Sequence, residues 1–82
     1  MKTIFKKRFL QDIEKAKNTH IFSKIKQLIE IVSKDPFQTP PPYEKLKGYR
    51  NTYSRRINEQ HRLVYIVEDG IISFARCWSH YE

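Results

Sequence analysis

Glu44, Lys47, Arg56, Arg62 and His80 together supply the side-chain types that metal-free cleavage of RNA needs. That reaction requires a base to take the ribose 2′-hydroxyl proton and an acid to protonate the departing 5′-oxygen. It also requires cations around the phosphorus, where negative charge accumulates. Glu44 is the candidate base and His80 the candidate acid. Arg56, Arg62 and Lys47 are candidate phosphate ligands, guanidinium being suited to two-point contact with phosphate oxygens. Residue types alone leave plainer roles open. Glu44 beside Lys45 and Lys47 also reads as a solvated carboxylate, and Arg55 and Arg56 as partners of Glu59 or Glu68. His61 also reads as a turn residue, and Trp78, His80 and Tyr81 as rim and tail residues.

Other chemistries find less in the chain. His20, His61 and His80 are far apart without ligand spacing, and no compact acidic cluster accompanies them, so no metal site is expected. Ser79 and Cys77 near His80 lack a glycine-rich elbow for acyl transfer. Gly48 and Gly70 are the only glycines, too few for a phosphate-binding loop, and no cofactor is expected. Cys77 is the only cysteine, so an intrachain disulfide cannot form, and a reducing compartment fits. The N-terminal MKTIFKKRFL is charged where a signal peptide needs an apolar run, and no stretch approaches a membrane span. A cytoplasmic protein without membrane association is expected.

Lysine and arginine number 16 against 9 acidic residues, a formal net charge of +7, which points to a polyanionic partner. A hydrophobic fraction of 39% is enough for a packed fold rather than a disordered chain. Residues 1–82 are expected to form a single domain with a small core.

The elements that must position the candidate residues follow from periodicity. Lys2 to Phe5 can form a first strand. Phe9, Leu10, Ile13 and Ala16 then take helical spacing, with Asn18 or Thr19 ending that helix and capping the next. Phe22, Ile25, Leu28, Ile29 and Val32 make an amphipathic helix stopped by Asp35-Pro36. Pro40, Pro41 and Pro42 suggest a stiff extended lead-in to Tyr43 and Glu44. Beyond Gly48 the period becomes two: Tyr53, Arg55 and Ile57 share a face, Leu63, Tyr65 and Val67 share a face, and Glu68-Asp69-Gly70 signals a tight turn. The fold class expected is α+β, two N-terminal helices on one face of a mostly antiparallel sheet of about five strands. In the last strand Ser73, Ala75, Cys77 and Ser79 suit close helix packing, which would put Ile72, Phe74, Arg76, Trp78 and His80 on the open face.

The chain resembles toxins of the YoeB (Txe) type in the RelE/ParE toxin–antitoxin superfamily. The resemblance rests on Asp35-Pro36-Phe37, on Tyr43-Glu44-Lys45-Leu46-Lys47, on the block from Tyr53 through Ser54-Arg55-Arg56-Ile57 and His61-Arg62-Leu63-Val64 to Tyr65, and on Trp78-Ser79-His80-Tyr81. It implies a RelE-like fold, similar to compact microbial ribonucleases, and an mRNA interferase that cuts messages in the ribosomal A site. It further implies Glu44 as general base, His80 as general acid, Arg62 as transition-state phosphate ligand and Tyr81 as a substrate-holding residue. Lys47 and Arg56 would line the scissile phosphate. Arg56 and Arg62 would reach one phosphate from adjoining strands, Ile57, Leu63 and Tyr65 would anchor the hairpin, and His61 would be structural. Arg55, of opposite parity to Arg56, is expected to touch rRNA, antitoxin or solvent. Two features depart from the family pattern: Glu82 follows the His-Tyr pair, and the proline run replaces a Gly/Lys-rich lead-in.

The partners implied are a YefM-like antitoxin with an acidic C-terminal segment, the ribosome and its mRNA, and promoter DNA only through the antitoxin complex. The resemblance leaves room for a homodimer. The alternatives are a ParE-like toxin that binds DNA gyrase without catalysis, and a basic ribosome- or nucleic-acid-binding module.

Overall fold

In the computed structural model, which describes residues 1–78, helices and strands follow one another as β1 (Lys2–Phe5), α1 (Lys7–Ala16), α2 (Phe22–Lys34), β2 (Glu44–Lys45), β3 (Thr52–Arg56), β4 (Arg62–Glu68) and β5 (Ile71–Arg76). Among the described residues these make one sheet of order β1-β5-β4-β3-β2. β1 runs parallel to β5 and the other neighbours are antiparallel. The expected α+β architecture is what the chain adopts. Among the described residues no helix is long and apolar enough to cross a membrane.

Each helix buries one stripe. α1 turns Phe9, Asp12 and Ala16 inward, and α2 turns Ile25, Leu28 and Val32, spacings that keep one face on the sheet. They meet Ile57, Leu63, Tyr65, Ile72, Phe74 and Cys77 in one core cluster. Thr19 ends α1, its hydroxyl and backbone N–H both donating to the Ala16 carbonyl at 2.7 and 2.9 Å. It does not cap α2, whose N-cap position is Ile21 with no side-chain cap. Asp35 stops α2 in an extended conformation ahead of Pro36, as the proline demands. The proline run is bent rather than continuously extended, with cis bonds at Thr39–Pro40 and Pro40–Pro41.

The last strand corrects one expectation. Ile72 and Phe74 are fully buried in the core, so the helices cover them and not Ser73 and Ala75. Bulky apolar side chains gain far more from burial than small ones, and the helices stand far enough off to admit them. The register then steps from Tyr65 opposite Phe74 to Val64 opposite Arg76, leaving Ala75 as the extra residue of a β-bulge. Beyond the bulge Cys77 is back in the core, as expected, although the strand parity has changed.

Candidate active site

The β2–β3–β4 register builds the site on the sheet face away from the helices. Glu44 stands opposite Ser54, Ser54 opposite Val64, and Arg56 opposite Arg62. Glu44, Ser54, Arg56 and Arg62 therefore share a face, because directly opposed residues project to the same side. Arg62 is the best fixed of them. Its Nε donates to Ser54 Oγ at 2.9 Å, and its Nη2 lies 3.6 Å from Glu44 Oε1. The guanidinium side chain is 13% exposed and the Glu44 side chain 72%, so the arginine is held in the sheet while the carboxylate faces solvent. An ion pair that open is worth no more than about 1 kcal/mol, which leaves Glu44 free to exchange its partner for a substrate.

Of the expected phosphate ligands, Arg56 is exposed directly across from Arg62. Lys47 is exposed in the turn that leads from β2 toward β3, just past Glu44 on the chain. His80 and Tyr81 lie outside the described residues. Among the described residues no group of three or more His, Cys, Asp and Glu side chains could hold a metal ion.

Two residues of this region were not legible as such. Ser54, fully buried, orients Arg62. Its signal was its parity with Arg56 at a position where a larger side chain would fill the guanidinium's place. Arg55, expected at rRNA, antitoxin or solvent, is instead fully buried on the helix side. Its strand parity with Tyr53 and Ile57 already put it there, and neutral acceptors make the burial tolerable. Nε donates to Tyr65 Oη at 3.1 Å, Nη1 to the Pro41 carbonyl at 2.6 Å and Nη2 to the Pro36 carbonyl at 3.0 Å. Tyr65 Oη donates to the same Pro36 carbonyl at 2.8 Å. Burial pushes the Tyr65 phenol up from its ordinary value, against the opposing pull of the Arg55 hydrogen bond and charge.

His61 has the structural place expected. The Asn58 side-chain oxygen accepts from its backbone N–H at 2.7 Å, closing the β3–β4 turn, and its ring stacks on Trp78 at 4.0 Å. Asp12 fastens the end of β5. Its Oδ2 accepts from Arg76 Nε at 2.7 Å, from the Cys77 N–H at 3.0 Å and from the Trp78 N–H at 3.2 Å. Burial alone would raise its pKa, but those hydrogen bonds and the Arg76 charge outweigh it and leave the carboxyl below its usual range. The Cys77 thiol is pushed up to about 12 by burial and by the nearby Asp12 charge, so it is no nucleophile.

Residues 5–81 match the profile of the YoeB-like toxins of bacterial type II toxin-antitoxin systems. The chain belongs to that family. The YoeB toxin of Escherichia coli is 42% identical over 62 residues, 74% of this chain and 74% of that protein. The YoeB toxin of Synechocystis is 38% identical over 63 residues, 76% and 73% of the two chains. Among solved structures, a YoeB/ParE toxin from Agrobacterium tumefaciens superposes with a TM-score of 0.87 at 31% identity, covering 99% of this chain and 100% of that one. A YoeB dimer from Staphylococcus aureus gives 0.83 at 32% identity over 99% and 98%. A YoeB–YefM complex from the same organism gives 0.80 at 32% identity with the same coverage. The YoeB family thus accounts for the order of the elements.

Proposed function

We propose that this YoeB-family toxin is a metal-independent endoribonuclease that cuts mRNA in the A site of the ribosome. Glu44 takes the ribose 2′-hydroxyl proton and O2′ bonds to phosphorus. The P–O5′ bond breaks, and His80 gives its proton to the leaving oxygen. Arg62 bears the charge that builds on the phosphoryl oxygens, Arg56 and Lys47 hold the flanking phosphate, and Tyr81 holds the substrate. The products are a 2′,3′-cyclic phosphate and a 5′-hydroxyl end. The observation that supports this reading above any other is the Glu44 carboxylate 3.6 Å from a guanidinium that Ser54 already orients. A base and a phosphate ligand that close, on an open face, fit attack by a neighbouring hydroxyl at the phosphate the arginine binds.

The 82 residues work as one catalytic domain in the cytoplasm, silenced by a YefM-like antitoxin whose acidic segment meets the net charge of +7. Promoter DNA is reached through that complex, and a homodimer is the form the free toxin takes. The test uses purified protein, ribosomes programmed with a defined mRNA, and no divalent metal beyond what ribosomes need. Cut ends should carry 5′-hydroxyls. His80→Ala and Arg62→Ala should each lower the single-turnover rate about 10²- to 10⁴-fold while antitoxin affinity stays within a few-fold. Equal toxicity of wild type and His80→Ala in cells would replace this reading with a binding mechanism, such as gyrase inhibition.

A further inference from the structure

Arg55 carries a full charge in the interior, yet among the described residues no carboxylate pairs with it. Its partners are the Tyr65 hydroxyl, the Pro36 and Pro41 carbonyls, and the ring of Tyr43, 5.3 Å from the guanidinium carbon. Enclosing a cation among neutral groups is a costly way to fill a core, since an apolar side chain of similar volume needs no such desolvation. What the guanidinium supplies and an apolar group cannot is a fork of fixed geometry. Here the two prongs tie together the ends of one segment. Between Lys34 and Glu44 the chain forms neither helix nor strand, and past the turn in which the Gln38 N–H donates to the Asp35 carbonyl at 3.2 Å its course to β2 relies on side-chain contacts. Nη2 holds it at Pro36, Nη1 holds it at Pro41, and Tyr43, the residue before Glu44, lies against the same guanidinium. The Tyr43 ring is also flanked by Phe37 at 5.7 Å and Tyr53 at 5.9 Å, so the lead-in reaches Glu44 already fixed.

We infer that Arg55 is a positioning residue for Glu44: its buried fork clamps the Pro36–Pro41 lead-in and the Tyr43 ring, and so sets where the carboxylate stands relative to Arg62. The inference rests on Glu44 acting as the base. Arg55 touches no substrate, being closed off on the opposite side of the sheet.

The experiment is a double-mutant cycle on programmed ribosomes, run on variants whose circular dichroism and melting show them fully folded at the assay temperature. Arg55→Met should lower kcat about 10- to 100-fold, the effect of misplacing a reacting group by around 1 Å, with KM for the ribosome complex and antitoxin affinity within about 3-fold. Arg55→Lys, which keeps the charge but not the fork, should fall between wild type and Arg55→Met, and it carries the test if Arg55→Met does not fold. In a Glu44→Ala background the Arg55 changes should cost nothing further, because the group they position is gone. Losses that multiply in the double mutant, or an unchanged kcat in a folded Arg55 variant, would overturn the positioning role while leaving Glu44 as base. A Glu44→Ala protein that cuts like wild type would overturn the base assignment, and Arg55 positioning with it.

Discussion

The Asp12 side chain is 3% exposed, and its carboxylate accepts hydrogen bonds from the Arg76 guanidinium and from two consecutive backbone N–H groups. Removing it leaves the Cys77 and Trp78 N–H groups at the end of β5 without this acceptor and takes a buried carboxylate away from the Arg76 guanidinium. Asp12→Ala is expected to cost about 3 kcal/mol and Asp12→Asn somewhat less, read from urea midpoints at neutral pH. The sign of the pH dependence follows from the lowered folded pKa. Stabilisation by the carboxylate is fully present above the ordinary value of 3.8 and is lost as pH falls through the lower folded value. The gap between wild type and Asp12→Asn should therefore hold down to about pH 3.8, narrow as pH falls further and be closed below the folded value. A gap that persists unchanged into strong acid would mean the charge contributes nothing. At this scale the sequence singles out Glu44, Arg56 and Arg62 as candidates because their types suit the chemistry and they sit in two distinctive blocks, and the strand register puts them on one face. Asp12, Ser54 and Arg55 were not legible in this way. Their roles depend on partners that folding alone brings near, Asp12 and Arg76 being 64 positions apart.

Elements were legible wherever one periodicity runs uninterrupted. α2 announces itself by its apolar stripe, and the β3–β4 hairpin by alternating faces. β5 was misread from Ile72 to Ala75 because strict alternation does not fix which face is covered, and because a bulge at Ala75 changes the parity partway. The β4–β5 turn is the opposite case, a local signal that holds. Asp69 and Gly70 both take positive φ, 54° and 74°, between Glu68 and Ile71, which pair directly. Two such residues in a row form the tight turn whose twist matches the flanking strands. A Cβ on Gly70 would meet nothing within 4 Å, so Gly70→Ala isolates the backbone cost of that conformation. The expected destabilisation is about 1 to 2 kcal/mol by thermal or urea unfolding, with the cutting rate per folded molecule unchanged. A loss of cutting in folded Gly70→Ala would show that the turn's conformation reaches the site, contrary to the separation of the β4–β5 turn from the β2–β4 face.

For the whole molecule the question is whether the net charge of +7 acts as a diffuse field or through placed contacts. The two differ in how single substitutions change salt dependence. Each cation that neutralises a phosphate of single-stranded nucleic acid contributes about 0.7 to the slope of log affinity against log salt, whereas a cation that only adds to the field contributes to encounter rate and little to that slope. Arg56 stands exposed on the face that carries Glu44 and Arg62. Lys34 ends α2, on the helix side of the sheet, 3.5 Å from Glu30. Binding of the non-cutting His80→Ala protein to programmed ribosomes, titrated between about 50 and 200 mM salt, should lose about 0.7 to 1 in slope when Arg56→Ala is added, and nothing when Lys34→Ala is added. Equal changes from the two would make the charge a general attractant for polyanions. The sheet face would then hold RNA through Arg62, with Arg56 contributing no phosphate contact.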